Sequence, residues 1–541
     1  MSCLRLAVAL LSSVAVAGAP ASPAAGKPKP ARAAGEGLFR RGLLDSGGPV
    51  EATGAAGVPL RGPAAACANC HRRSGLGGRE GRSVAPPITG RYLYRPRGAG
   101  PDAHVPFVEG IRGDREPYTD ATLARAIRTG VDSEGNPLRE LMPRYELGDA
   151  DMEALIGYVK GLDPRRVPGV TGNVLHFATI VTPDADPTKR HAMLAVLEQY
   201  FAERNARQMS PAPSLRAKHA FMVHRFWELH VWQLEGAEST WLEQLRRRLR
   251  KQPVFAVISG LGGRSWAPVH AFCEQEAVPC LFPNVETPVD AQQDFYTLYF
   301  SRGVLLEAAL IASAIADGHP GSTPAVRQVF RAGDVGESGA RALADALAQR
   351  GIRVTDGVVA RAGSGGDVAR AVRAAPADVL VLWLRGPDLE ALGEPPAAPA
   401  AVYASGLMGG LERAPLAPDW RERARLAYPF DLPDSRRVRM DFAFGWFRIR
   451  NVPIEAEQVQ ADTYLACGLL SETLNHMSDT FVRDYLIERV EETVPHRLLT
   501  GYYPRLSLAP GQRFASKGGY LVRFAEPAGH KLVADGGWTV P

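Results

Sequence analysis

The sequence predicts a multidomain protein: a small all-α domain followed by a two-lobed α/β domain. Three observations predict it. A length of 541 residues is too great for a single core. The stretch Asp163-Pro164-Arg165-Arg166-Val167-Pro168-Gly169 breaks the pattern of the chain. Before it the readable elements are helices, and from Asn173 onward strand-like runs alternate with amphipathic helices. With 45% hydrophobic and 22% charged residues, the composition is that of packed cores. A net charge of +5 is small for this length and gives no support to nucleic-acid binding.

Met1 to Ala19 carries one basic residue, Arg5, then an apolar run from Leu6 to Val16 and small residues. That is the pattern of a secretory signal peptide over 1–19, with cleavage after Ala17 or Ala19. The run is shorter than the roughly twenty residues a membrane span needs. Export to the periplasm is therefore expected, with an uncleaved anchor as the alternative. Cys3 precedes the apolar run and is not placed as a lipoprotein cysteine would be. Residues 20–60 read as a Pro/Ala-rich linker and lead-in, in which 20–36 have no core to form.

Cys67-Ala68-Asn69-Cys70-His71 is C-x-x-C-H, the attachment motif of c-type haem. Two thiols one helical turn apart can each add to a haem vinyl group, and the adjacent His71 presents its imidazole to the iron. A redox disulfide or half a zinc site is the competing reading. Zinc would need a second ligand pair at similar spacing, and none lies nearby. One such motif predicts one haem c, held by Cys67 and Cys70. A second axial ligand from Met would raise the potential. Met142 lies in Leu141-Met142-Pro143-Arg144-Tyr145, a loop before a helix that begins at Gly148-Asp149. Met152 lies inside that helix with Leu155, Ile156 and Val159 on its face, so it reads as core. Met142 is the expected ligand.

On these residues, 61–163 resembles a class I cytochrome c domain. The family pattern is carried by CANCH, APPITG (85–90), TDATLARAIRTGVD (119–132), LMPRY and DADMEALIGYVKGL. The resemblance implies an all-α domain with His71 and Met142 as axial ligands of the haem iron. It also implies a carbonyl of Pro86 or Pro87 orienting the His71 ring through its other nitrogen, which tunes the iron. The implied activity is electron transfer with a periplasmic redox partner. Residues 72–97 carry seven Arg and one acidic residue, Glu80. They read as a solvated loop near the haem propionates, or as a docking face for an acidic redox partner.

Residues 164–172 read as a linker that permits independent motion. Beyond it, strand-like runs fall at 174–181, 226–234, 254–261, 280–283, 326–332, 352–359 and 378–384. Helical patterns fall between them at 191–207, 239–251, 266–276, 303–316, 337–350 and 367–374. This alternation predicts parallel sheets, and 173–541 is too long for one of them. Short strand-like runs around 508–524 close the second lobe or add a hairpin. The order of elements, VFAVISGLGG before a helix, and Asp334-Val335-Gly336 within 326–351 resemble the type I periplasmic substrate-binding fold. That group includes branched-chain amino-acid receptors of ABC transporters. The resemblance implies two lobes joined by three crossings, with a small-molecule ligand in the cleft.

For that cleft, Ser259-Gly260-Leu261-Gly262-Gly263 ends a strand just before a helix. Glycines there admit backbone N–H groups to an anionic ligand, and a plain strand-to-helix turn is the alternative. Trp266 either stacks on a ligand or packs in the core, and Asp334 marks the turn of the other lobe. The polar pattern for an amino-acid zwitterion is not evident, so the substrate is not named. Cys273 and Cys280 are expected to form a disulfide in an oxidising compartment. Cys467, in the apolar helix 461–474, reads as an inert buried thiol.

No G-x-S-x-G, H-E-x-x-H or P-loop occurs. Three functions from different classes remain. One is an electron carrier whose binding lobe docks a partner or senses a small molecule. Another is a haem enzyme with an open iron, against which Met142 argues. The third is a solute-binding or sensor protein with haem as redox reporter.

Overall fold

The computed structural model describes residues 30–80, 83–95, 115–162, 167–209, 225–291, 294–396, 401–477, 480–497 and 501–541. The signal-peptide reading of 1–19 lies outside these residues.

The first domain contains helices α1 (Pro30–Arg41), α2 (Ala68–His71), α3 (Gly90–Leu93), α4 (Asp120–Thr129) and α5 (Asp149–Lys160). Its short strands are β1 (Glu51–Thr53), β2 (Pro59–Arg61), β3 (Gly78–Glu80), β4 (Ser83–Ala85) and β5 (Arg144–Glu146). Two expectations are corrected here. The lead-in is part of the core: α1 buries Leu38 and Phe39, and the Phe39 ring lies 5.3 Å from that of Tyr158 on α5. Gly35 permits the crossing, because a Cβ there would sit 2.1 Å from the Ala154 carbonyl oxygen. The Ala/Gly composition that reads as a linker is also what a close helix crossing requires. Nor is the domain all-α, since β1 pairs antiparallel with both β2 and β5 and β3 with β4. Three-residue strands are too short to show an alternation in sequence. α4 is capped by Thr119, whose hydroxyl accepts from the Thr122 amide, and it stops at Gly130 with φ +73°.

The second domain has two sheets. β6 (Val174–Val181), β7 (Phe226–Gln233), β8 (Ala256–Ile258), β9 (Cys280–Leu281) and β10 (Thr297–Leu298) form a parallel sheet in the order β10-β9-β8-β6-β7. The other sheet contains β11 (Val326–Arg331), β12 (Val354–Val359), β13 (Val379–Trp383), β14 (Ala401–Ser405), β15 (Ala424–Tyr428), β16 (Tyr520–Phe524) and β17 (Leu532–Ala534). Its order is β12-β11-β13-β14-β15-β16-β17, with antiparallel pairing only at β15–β16 and β16–β17. The central strand β13 is buried throughout, as expected where helices cover both faces. The chain passes from the first sheet to the second after β10, returns after β15 with helix Glu457–His476 against helix Pro187–Met209, and crosses again before β16. The crossings lie side by side: the Tyr299 amide donates to the Arg513 carbonyl and the Asp431 amide to that of Tyr502, each at 2.8 Å.

The two domains are not independent, which corrects the expectation for the linker. Leu76 is buried in the core of the α/β domain. Arg72 Nη2 lies 2.5 Å from Glu491 Oε2, and Arg40 Nη2 lies 3.0 Å from Asp484 Oδ2, both on helix Arg483–Thr493. The Arg73 guanidinium sits 3.9 Å above the Phe295 ring. No helix among the described residues is long and apolar enough to cross a membrane.

Candidate functional site

α2 is a single turn that starts after Cys67 and ends on His71. The Cys70 and His71 amides both donate to the Cys67 carbonyl, at 3.3 and 2.9 Å. Cys67 is buried in the domain core, Cys70 is exposed, and neither is in a disulfide. His71 is buried, and its Nδ1 lies 2.9 Å from the Pro86 carbonyl oxygen. Donation by Nδ1–H to that carbonyl leaves Nε2 as the lone-pair nitrogen. Burial lowers the His71 pKa, against the opposing effect of the Pro86 carbonyl, and so favours the neutral ring. The Pro86 position has a local cause. Gly77, at φ +70°, runs so close to the Ala85–Pro86 segment that a Cβ would lie 2.1 Å from the Ala85 carbonyl oxygen.

His71 faces a cavity of about 580 Å³. Its walls include Pro86, Pro87, Leu93, Leu123, Ile127 and Met142. The Met142 amide donates to the Arg139 carbonyl at 3.0 Å, which forms a turn before β5. Two thiols on one turn, a neutral imidazole, a thioether and apolar walls make a donor set that fits covalent haem. Residues 62–163 match the family Cytochrome c.

This segment is a cytochrome c domain.

Such a domain implies covalently bound haem. In the cytochrome c domain the structure brings Cys70, His71, Pro86, Pro87 and Met142 to one cavity, whereas Cys67 is buried and does not line it. The Pro86 carbonyl, not that of Pro87, meets His71. Sequence reasoning missed Glu492, which reaches the rim of this cavity from the second domain. It lies more than four hundred positions away in sequence, so no local signal pointed to it.

No curated protein matches the chain. Among solved structures, the fatty acid ABC transporter substrate-binding protein from Thermomonospora curvata superposes with a TM-score of 0.50 at 14% identity, covering 70% of this chain and 95% of that one. A branched chain amino acid ABC transporter from Thermus thermophilus with bound valine gives 0.48 at 10% identity, covering 69% and 98%. The first likeness shows that the α/β part has the fold of type I periplasmic substrate-binding proteins.

Between its lobes lies a cleft of about 670 Å³, lined by Gly262, Gly263 and Asp334 among others. Ser259 and Trp266 are not on its wall. Ser259 is fully buried, its hydroxyl 2.9 Å from Thr463 Oγ1 and accepting from Asn284 Nδ2 at 2.9 Å. Trp266 is 2% exposed beneath the glycine loop. A Cβ on Gly260 would lie 2.4 Å from its ring, so that glycine makes room for the indole rather than for a ligand. The anion-site reading of the loop is corrected too, because its amides are already bonded. Gly262 N–H donates to the Asn284 carbonyl at 3.1 Å, Gly263 N–H to Thr182 Oγ1 at 2.8 Å, and Arg264 N–H to Asp184 Oδ2 at 3.0 Å. Asp184 occupies the place of an anion. Burial raises its pKa, but bonds from the Arg264 amide, Thr182 and the Arg264 guanidinium outweigh that and hold it below the ordinary carboxylate value.

Asp334 serves a clasp across the cleft. Arg385, just after β13 in the second lobe, donates to Asp334 at 2.8 and 2.9 Å. It also donates to Glu286 of the first lobe at 2.8 Å, and Lys189 reaches the same carboxylate at 3.2 Å. Arg385 stands at the carboxyl end of a strand, the place where ligands bind in open α/β sheets, and that position was the available signal. Cys273 and Cys280 are joined in a disulfide, and Cys467 is fully buried, its thiol raised well above its ordinary value by burial.

Proposed function

We propose that this chain is an exported, periplasmic monohaem c-type cytochrome that transfers electrons, fused to a module of small-molecule-binding type. The observation that carries the reading is the His71–Pro86 hydrogen bond beside an apolar cavity that also contains Met142. Haem c, when bound, supplies a one-electron couple at its iron. Cys67 and Cys70 would hold it by thioether bonds. The Pro86 carbonyl fixes the His71 ring as the Nδ1–H tautomer and sets its orientation. Met142 offers a soft sulfur donor, and Leu93, Leu123 and Ile127 keep water from the site.

The test is the visible spectrum of exported, haem-loaded protein, oxidised and reduced, beside Met142→Ala. A low-spin spectrum with a sulfur-to-iron band that vanishes in the variant supports His/Met ligation and electron transfer with a periplasmic redox partner. A high-spin spectrum unchanged by the substitution overturns it and favours a haem enzyme with an open iron.

A second reading, a solute-binding or sensor protein with haem as reporter, is favoured by the charged interlobe cleft. Equal haem potentials with and without a cleft ligand would refute it, because coupling must appear at both sites.

A further inference from the structure

We propose that His176, His230 and Glu228 form a binding site for one divalent transition-metal ion of the zinc, nickel or copper class, on the first-lobe sheet far in sequence from the haem motif. The three residues are brought together by strand pairing. In the parallel register of β6 and edge strand β7, His176 stands opposite Glu228 and Ala178 opposite His230. Glu228 and His230 are two apart and share a face.

Their donor atoms converge. His176 Nδ1 lies 3.1 Å from His230 Nε2 and 3.4 Å from Glu228 Oε2, and His230 Nε2 lies 3.7 Å from Glu228 Oε1. Zinc bonds of roughly 2.0–2.1 Å in tetrahedral geometry place neighbouring donors about 3.3 Å apart, and these separations bracket that edge. The two imidazoles are sheltered, with side-chain exposures of 15% and 18%, whereas Glu228 at 55% leaves one side open to water or another donor. Two imidazoles and one carboxylate suit borderline cations rather than Ca2+ or Mg2+.

A second cluster in the same lobe shows what a purely hydrogen-bonded group looks like. His270 is bonded to Tyr299 OH at 2.9 Å and to Asp294 at 2.7 Å. Glu274 accepts from the amides of Phe295, Tyr296 and Thr297. Those donors and acceptors are engaged by other protein groups, whereas the donor atoms of the His176 group face one another, and the 3.1 Å hydrogen bond between His176 Nδ1 and His230 Nε2 is the contact a metal ion would replace.

The experiment is equilibrium dialysis of full-length, haem-loaded protein against Zn2+, with metal counted against haem. The expected result is one Zn2+ per chain. Binding should weaken by about 100-fold or more in His176→Ala and His230→Ala, since even outer-shell partners are worth roughly 10–100-fold. It should also weaken in Glu228→Gln, an exposed change that leaves folding intact and decides the matter if a histidine variant fails to fold. An unchanged haem spectrum verifies the fold of each variant. No stoichiometric uptake by the parent, uptake that survives the substitutions, or loss in His270→Ala instead would overturn the proposal.

Discussion

The Ser74 amide and hydroxyl donate to the two carboxylate oxygens of Glu488, at 2.9 and 2.5 Å. Ser74 follows His71 by three positions, and Glu488 is buried on the helix that carries Glu491 and Glu492. A carboxyl group at the junction of the two domains is thus bonded to a residue three positions along the chain from His71. Burial pushes it up to about 8, against the Ser74 bonds and the Arg72 charge, which favour its ionised form.

That shift makes the junction pH-sensitive. The ordinary Glu value is 4.5, so between 4.5 and about 8 the folded state keeps a proton that the unfolded state has lost. The contribution is fully present below the lower value and lost as pH rises through the upper one. Thermal unfolding should show Tm falling from pH 6 to pH 9, with a shallower fall in Glu488→Gln. Parallel profiles for parent and variant would refute the assignment.

Gly35→Val should destabilise the cytochrome c domain, because the new Cβ would meet the Ala154 carbonyl oxygen at 2.1 Å. Overpacking of this kind costs about 1–3 kcal/mol. Denaturant unfolding followed at the haem band measures it, and an unchanged midpoint would mean that α1 does not dock on α5.

Arg385→Ala should loosen the lobes, since Glu286 and Asp334 lose their common partner. The pair is partly exposed, so the stability change should be small, about 1 kcal/mol. The decisive reading is small-angle scattering, where the radius of gyration should increase. Arg385→Lys should recover little of the effect, because one ammonium cannot serve two carboxylates as a guanidinium fork does.

Replacing Cys273 and Cys280 together by Ser should lower stability by about 2–3 kcal/mol, the chain-entropy value for a short loop. Reduction of the parent should reproduce the loss of Tm, while the double variant should not respond to reductant.

Legibility in the sequence followed range along the chain. C-x-x-C-H is readable because its chemistry needs fixed spacing within five residues, and Met142 because it sits in a loop of recognisable pattern. Strand–helix alternation after Asn173 is readable because periodicity is local. The elements that escaped notice depend on distant partners. β1 pairs with β5 across some ninety residues, and α1 needs α5 beneath it. The glycine loop reads as open to an anion, and Asp184, just past the end of β6, is what occupies it, accepting from the Arg264 amide. Arg72 and Arg73, within a segment that reads as a solvated loop near the haem propionates or a docking face for an acidic partner, instead meet Glu491, Asp484 and Phe295 of the same chain.

The buried junction also governs how such a protein can be taken apart or recombined. Severing the chain between the modules would strip cover from Leu76 and leave the Glu488 carboxyl without Ser74. Each half would then present a greasy or unpaired scar where it now has an interior. A foreign cytochrome segment spliced in at the same point would need its own counterpart of helix Arg483–Thr493. The natural unit of exchange is the cytochrome c domain together with that distant helix, two pieces of one graft held far apart on the gene.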